Sequence, residues 1–116
     1  MPGTIDWYYH RKGCNTCSRM DEFLALRGYA AAEIVNASKQ PILPPEALRI
    51  AQGVDRILAA KGKKIVELNV KRDGVTSEDV AANLIGPSGK LRAPTVRRGR
   101  TLLVGFHPES FDEALP

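Results

Sequence analysis

Residues 5–9 (Ile-Asp-Trp-Tyr-Tyr) form a short aromatic run that predicts a strand, with Trp7, Tyr8 and Tyr9 alternating between the core and the sheet's other face. Beyond the basic turn His10-Arg11-Lys12-Gly13 the period changes. Cys17, Met20, Phe23 and Leu24 recur at helical spacing, while Arg19, Glu22 and Arg27 lie mostly on the opposite side. This predicts a helix from Asn15 to about Arg27, stopped by Gly28 in a left-handed conformation. Residues 30–36 (Ala-Ala-Ala-Glu-Ile-Val-Asn) predict a second strand, although the alanines alone favour helix.

Pro41, Pro44 and Pro45 then break the pattern. Pro45 suits the first turn of a new helix, and Glu46 is favourable near its positive end. Ala47, Ile50, Ala51, Val54, Ile57 and Leu58 continue it as an apolar stripe to a stop near Gly62. Gly53 falls inside this helix, where it costs about 1 kcal/mol relative to alanine. It reads as a tolerated glycine, a close packing contact or a flat spot where a partner docks. The run Lys-Ile-Val-Glu-Leu-Asn-Val within 63–75 predicts a strand by alternation alone.

Thr76 or Ser77 caps a further helix, with Glu78 and Asp79 in its first turn and Val80, Ala81, Leu84 and Ile85 as its apolar face. Gly86-Pro87 ends it. Leu91–Val96 and Thr101–Gly105, joined by the turn Arg97-Arg98-Gly99-Arg100, predict a hairpin. Pro108 opens a last helix with Phe111, Ala114 and Leu115 inward. Strand–helix–strand, a helical middle, then hairpin and helix make a thioredoxin-like α/β plan with an insertion between its halves.

The chemistry concentrates at one point. Cys14 and Cys17 are the only two cysteines, and they lie at the predicted strand-to-helix junction. A Cys-x-x-Cys pair there is the layout of a thioredoxin-like redox site. With one thiol at the helix start and the other one turn on, the sulfurs can approach closely enough to form a disulfide. The helix amides and dipole, with Arg11 and Lys12 adjacent, favour a thiolate at Cys14. Cys14 is therefore the expected nucleophile and Cys17 the expected resolving thiol, with Asn15 and Thr16 tuning the loop.

Composition narrows the alternatives. The chain has 116 residues with 17 basic and 13 acidic side chains, a net charge of +4. That mild excess leaves room for an anionic substrate or an acidic partner, but no clustered stripe or module for nucleic acid stands out. The N-terminus carries no basic region followed by an apolar run, and no stretch approaches the roughly 18 apolar residues of a membrane span. A cytoplasmic, monomeric protein is expected, and in that compartment paired cysteines serve catalysis or metal more often than structure. Zinc takes about four ligands; two cysteines and two distant histidines predict no metal site. His10 reads as a surface residue at a strand end and His107 as a capping or surface residue.

Three segments together carry a resemblance. They are the strand followed by Cys-Asn-Thr-Cys-Ser-Arg and its amphipathic helix; Lys-Lys-Ile-Val-Glu-Leu-Asn-Val followed by Thr-Ser-Glu-Asp-Val; and Leu-Arg-Ala-Pro-Thr-Val, a short turn, Leu-Val-Gly-Phe and Glu-Ser-Phe-Asp-Glu-Ala-Leu. In order and spacing the chain resembles the arsenate reductase/Spx family, a glutaredoxin-like branch of the thioredoxin fold. The resemblance implies one domain over 1–116, with core halves at 5–40 and 91–116 and a helical insertion at 44–86. It implies a four-stranded mixed sheet built from an N-terminal βαβ half and a C-terminal ββα half. It moves residues 63–70 from the sheet into the insertion, and it makes Pro94 a cis proline beside the redox cysteine.

The resemblance also frames the function. A thiol–disulfide oxidoreductase acting through Cys14 and Cys17 is the first expectation, with Pro94, Thr95, Arg92, Arg11 and Lys12 as substrate-binding residues. No tightly bound cofactor is expected; the electron donor would be thioredoxin, or glutaredoxin with glutathione as reductant. Arsenate reduction is the alternative. The family's enzymes carry an arginine directly before the cis proline, where this chain has Ala93, and a second oxyanion arginine is matched here by Lys61. Arg97, Arg98 and Arg100 read as solvated turn residues. A further alternative is an Spx-like redox-switched regulator binding the RNA polymerase α subunit, with Gly53 matching a glycine of that group's polymerase-contacting surface.

Overall fold

A computed structural model describes residues 3–115 of the chain. The first strand is interrupted at Asp6, giving β1 (Thr4–Ile5) and β2 (Trp7–His10), and α1 follows over Asn15–Leu26. The chain returns as β3 (Ala30–Ala31) and β4 (Ile34–Asn36), parallel to β1 and β2 respectively. After α2 (Pro44–Gln52) come β5 (Arg56–Lys61) and β6 (Lys64–Asn69), an antiparallel hairpin turned at Gly62. The one-turn α3 (Val70–Asp73) and α4 (Ser77–Asn83) lead to the second hairpin, β7 (Thr95–Arg98) and β8 (Thr101–Val104), and to α5 (Pro108–Ala114).

Six of these strands form one mixed sheet in the order β4-β2-β7-β8-β5-β6, while β1 and β3 pair separately. The β4-β2-β7-β8 part, with α1 crossing between β2 and β4, is compatible with a thioredoxin-like core. Alternation along its strands distributes the core over two faces. Tyr9, Ile57, Ala59, Leu102 and Val104 pack with Ala47 and Ala51 of α2 and Val80 of α4. Tyr8, Leu58, Val96 and Leu103 pack on the opposite face with Met20, Phe23 and Leu24 of α1 and Phe111 of α5.

Two expectations are corrected here. The sheet has six strands rather than four, because residues 44–86 are not a helical insertion: their middle is the β5–β6 hairpin, and β5 joins β8 in parallel. The helix expected to run toward Gly62 stops at Gln52, with Gly53 as its cap rather than an interior residue. The stripe ending in Ile57 and Leu58 misled because Ile-Leu-Ala-Ala is buried on both sides of a central strand. Such a continuous apolar run has no period that separates it from a buried helix. Ile57 faces α2 and α4 while Leu58 faces α1 and α5, a division no single helix face allows.

The alternation over 64–69 was a true strand signal, and the resemblance wrongly set it aside: Ile65 and Leu68 pack on opposite faces of the sheet. The other elements lie close to expectation. Thr76 caps α4 in a reciprocal box with Asp79, and His107 caps α5 by accepting from the Ser110 amide at 3.3 Å. The strand expected over 30–36 is split into β3 and β4, and the second hairpin shifts: β7 runs from Thr95 through Arg98, which shortens the turn to 99–100, and Leu91 makes a lone bridge to Ile85. No helix among the described residues is long and apolar enough to cross a membrane.

Ile57 is fully buried in a strand paired on both sides. The Ile57→Ala variant is expected to lose about 2–5 kcal/mol in urea unfolding, with the amides of 57–60 among the slowest to exchange. A loss below about 1 kcal/mol together with fast exchange would contradict a central β5.

Candidate redox site

The site is assembled where β2 ends. Gly13, with φ of 80°, turns the chain so that Cys14 takes the extended conformation of a helix cap, φ −95° and ψ 122°. Its carbonyl accepts the first helical bond from the Ser18 amide at 3.0 Å, and its sulfur accepts from the Cys17 amide at 3.3 Å. The cysteine thus fills the place usually held by a serine or aspartate oxygen. Ionisation strengthens such a bond, because a charged acceptor binds an N–H about twice as strongly as a neutral one.

From the neighbouring strand comes the loop before β7. The Ala93–Pro94 peptide is cis, and the Ala93 carbonyl lies 3.9 Å from Cys14 Sγ, close enough to accept weakly from the thiol. Backbone bonds hold this loop in place: Leu91 N to Ile42 O at 2.8 Å, Arg92 N to Leu84 O at 2.9 Å, and Gly105 N to Pro94 O at 2.8 Å.

The two thiols are close but unlike. Both are reduced; Cys14 is half-buried and Cys17 fully buried. Partial burial works against ionisation of Cys14. The Cys17 amide and thiol, the Arg11 side chain and the Thr16 amide outweigh it and hold Cys14 below an ordinary thiol. Cys17 is pushed up to about 12, chiefly by burial, with the neighbouring Cys14 sulfur adding to it and the Arg11 amide opposing. Beneath the pair, the Tyr8 hydroxyl donates to Asp21 at 2.8 Å, and burial together with that carboxylate keeps it protonated. His10 pairs with the other oxygen of Asp21 at 2.9 Å, so its ring is engaged with Asp21.

Cys14 opens onto a cleft of 570 Å³ lined also by Tyr9, Arg11, Thr16, Lys90, Arg92 and Ala93. The structure therefore brings together Cys14, Arg11 and Arg92 from the expected set, with Pro94 joining the loop that forms one wall. Cys17 lies behind the wall. Thr95 is fully buried, and its hydroxyl donates to the Arg92 carbonyl at 2.6 Å, serving the loop from inside. Lys12 is exposed and is not among the cleft-lining residues. Gly53 lines a separate shallow groove of 360 Å³ with Trp7, Glu46, Arg49, Ile50 and Arg97, and Lys61 borders a third hollow. Arg97, Arg98 and Arg100 are engaged with Gly99 O, Ala114 O and Asp55.

Sequence reasoning missed Lys90 and the Gly86-Pro87-Ser88 rim. A lysine in a Gly/Ser loop carries no signal of its own; the Ile85–Leu91 bridge and the bonds Gly86 N to Lys90 O at 2.8 Å and Leu91 N to Ile42 O at 2.8 Å bring that loop to the rim of the cleft. Among the described residues no group of three or more potential ligands is placed to hold a metal.

A thiol at a helix start beside a cis-proline loop, on a sheet compatible with the thioredoxin plan, defines the class of thiol-based redox proteins. The model of the ArsC family matches residues 9–114, nearly the whole chain, and the chain belongs to that family. No curated protein matches it significantly.

A lowered pKa leaves Cys14 ionised at a pH where a free thiol is still protonated. Iodoacetamide is therefore expected to label Cys14 along a pH curve whose midpoint lies below that of a free thiol, while native Cys17 stays unlabelled. Arg11→Gln removes one stabilising partner and should move the midpoint upward. A Cys14 curve superimposable on that of N-acetylcysteine would contradict the described electrostatics.

Proposed function

We propose that this protein is a thiol–disulfide oxidoreductase in which Cys14 attacks and Cys17 resolves. The observation that carries the reading is the division of labour between the thiols: one at the surface with ionisation favoured, the other buried with ionisation opposed. In the first step the Cys14 thiolate attacks a substrate disulfide, forming a Cys14–substrate disulfide and expelling the second substrate sulfur as thiolate. Cys17 then gives up its proton, attacks Cys14 Sγ and expels the first sulfur. The protein is left with a Cys14–Cys17 disulfide, two electrons having passed to the substrate. An external dithiol, of the thioredoxin or glutaredoxin/glutathione kind, returns them.

The sequence of steps suits the electrostatics. While Cys14 is a thiolate, its charge opposes ionisation of Cys17; once Cys14 is in a mixed disulfide that charge is gone, and Cys17 ionises more readily. Premature loss of the Cys17 proton is thereby avoided.

A second reading, arsenate reduction, is supported by the Arg11 side chain at the Cys14 sulfur, where an oxyanion bonded to that sulfur would meet a cation. Against it, Ala93 occupies the place before the cis proline where the family's enzymes carry arginine. Arsenate-dependent thiol consumption with glutathione or thioredoxin supplied distinguishes the two.

The exchange reading predicts that Cys14→Ser abolishes reduction of a model disulfide. Cys17→Ser should instead accumulate a stable adduct on Cys14, seen as a mass increase equal to one half of the disulfide. Full turnover by Cys17→Ser without adduct would remove the resolving role, and full turnover by Cys14→Ser would remove the mechanism.

A further inference from the structure

The two edges of the six-stranded sheet are finished differently. At one edge β4 spans only Ile34–Asn36, and the Asn36 carbonyl accepts from the Lys39 and Gln40 amides as the chain turns. At the other edge β6 runs for six residues, Lys64–Asn69, and is paired on one side alone. A strand left open in this way presents a row of unpaired amides and carbonyls to a further strand.

Which groups of β6 are open follows from its hairpin. The loop consists of Gly62 and Lys63, with φ of 62° at Gly62 and a negative φ at Lys63. That is the pattern of a type II′ turn, and the residues flanking such a loop, Lys61 and Lys64, form a hydrogen-bonded pair. In an antiparallel ladder such pairs recur at every second position. Lys64, Val66 and Leu68 therefore bond to β5, while the amides and carbonyls of Ile65 and Glu67 point outward. The other side of β5 agrees. The Arg56 amide donates to Arg100 O at 3.2 Å, so the even-numbered residues of β5 serve β8 and the odd-numbered ones serve β6. Among the described residues no turn, cap or loop bond reaches the main chain of Ile65 or Glu67.

The side chains of this edge complement a copy of themselves. Two β6 strands placed antiparallel about a two-fold axis at Val66 set Ile65 of each copy opposite Glu67 of the other. Each such pair exchanges both backbone bonds. Lys64 falls opposite Leu68, so no like charges face each other. Lys63 of one copy lies diagonally beside Glu67 of the other, within reach of a long side chain. On its own chain Glu67 is already paired with Arg56 at 3.0 Å. On the opposite face Val66 meets Val66 across the axis, flanked by the half-buried Leu68. Other registers are worse. An axis at Glu67 sets that carboxylate against itself, and an axis at Ile65 needs the Lys63 carbonyl, which already accepts from His107 at 3.2 Å.

From this we infer that the protein forms a homodimer in which β6 pairs with β6 of a second copy, joining the two sheets into one. This departs from the monomer expected from the sequence, and it stands apart from the exchange reading. β7, β8 and β5 separate β6 from β2, and no β6 residue lines the Cys14 cleft. One strand from each copy makes a small interface, so the dimer is expected to dissociate on dilution.

The test reads the amides one by one. Sedimentation equilibrium should show the mass rising from one chain towards two between about 50 μM and about 1 mM. Over that range hydrogen exchange at the Ile65 and Glu67 amides should slow several-fold, while Lys64, Val66 and Leu68, already bonded to β5, change less. Val66→Lys brings two like charges together on the axis and should keep the protein monomeric, with the Cys14 alkylation curve of the parent. A second variant does not rely on weakening the contact. Val66→Cys, in a chain with Cys14 and Cys17 replaced by serine, should oxidise to a disulfide-linked dimer, because side chains in a non-hydrogen-bonded pair are close. Glu67→Cys in the same background, offset from its own copy, should crosslink far less.

A mass of one chain at every concentration overturns the dimer, and growth beyond two chains overturns the closed two-fold pair. If Val66→Lys associates as strongly as the parent, or Glu67→Cys crosslinks as readily as Val66→Cys, the contact lies elsewhere and the β6 pairing is refuted.

Discussion

The bond from the Cys17 amide to Cys14 Sγ is the point on which the rest of the site depends. One sulfur both caps α1 and carries the chemistry. The first turn of a helix has amides without partners, and a thiolate in the capping position satisfies one of them better than a thiol does. Cap formation and thiolate formation are therefore the same event seen from the helix and from the sulfur. This is why burial, which by itself would raise the Cys14 pKa, loses to the sum of the amides and Arg11. Cys17, one turn deeper, faces the opposite balance: it is fully enclosed and burial dominates. Two chemically identical thiols three residues apart are made different by position along one helix.

That difference holds only if the helix start is fixed relative to the sheet. The strand before it is anchored on both flanks, to β4 in parallel and to β7 in antiparallel register. Asp21, on the next turn of α1, is gripped by Tyr8 and His10 of β2, so the loop 11–14 is spanned by side chains as well as by backbone. The Tyr9 hydroxyl, meanwhile, takes the Ile42 amide at 3.0 Å and the Ile42 carbonyl takes the Leu91 amide at 2.8 Å. A chain of bonds thus runs from β2 to the loop that carries Ala93. The nucleophile and the wall it faces are positioned by the same strand.

The parts of this arrangement set by local contacts were legible in the sequence, and those set by distant contacts were not. The Cys-x-x-Cys helix is amphipathic, bounded by glycines at 13 and 28, and reads without ambiguity. The cap of α4 falls at Thr76, one of the two residues the sequence offers for it, and Thr76 and Asp79 bond each other. Residues 57–60 are different: Ile-Leu-Ala-Ala has no period, and only β8 on one side and β6 on the other make it a strand. The β6 run alternates in its own residues and pairs with β5 in the sheet, where the resemblance implies an insertion. Arg92 was singled out only by its nearness to Pro94. That its guanidinium would be half-buried and without an acid depends on Asn83, Gly105 and Ala60, which come from three separate elements.

The strands absent from the expected plan bear on the site itself. Ala60, near the end of β5, stands beside Gly105 just past β8, and the Arg92 side chain lies against them. Had residues 56–61 remained helical, β8 would be an edge strand, and its far side would offer no such floor. Pairing β5 in parallel with β8 instead carries a small side chain, alanine, to the level where the chain leaves the sheet at Gly105. A Cβ at 105 would lie 2.8 Å from Arg92 Nη2 and 3.1 Å from the Ala60 Cβ, in the volume the guanidinium occupies. The sheet extension therefore does more than enlarge the core. It supplies part of the surface around a cation that has no acidic partner among the described residues and that lines the same cleft as Cys14, and so ties the cleft's charge to the strand order of the fold.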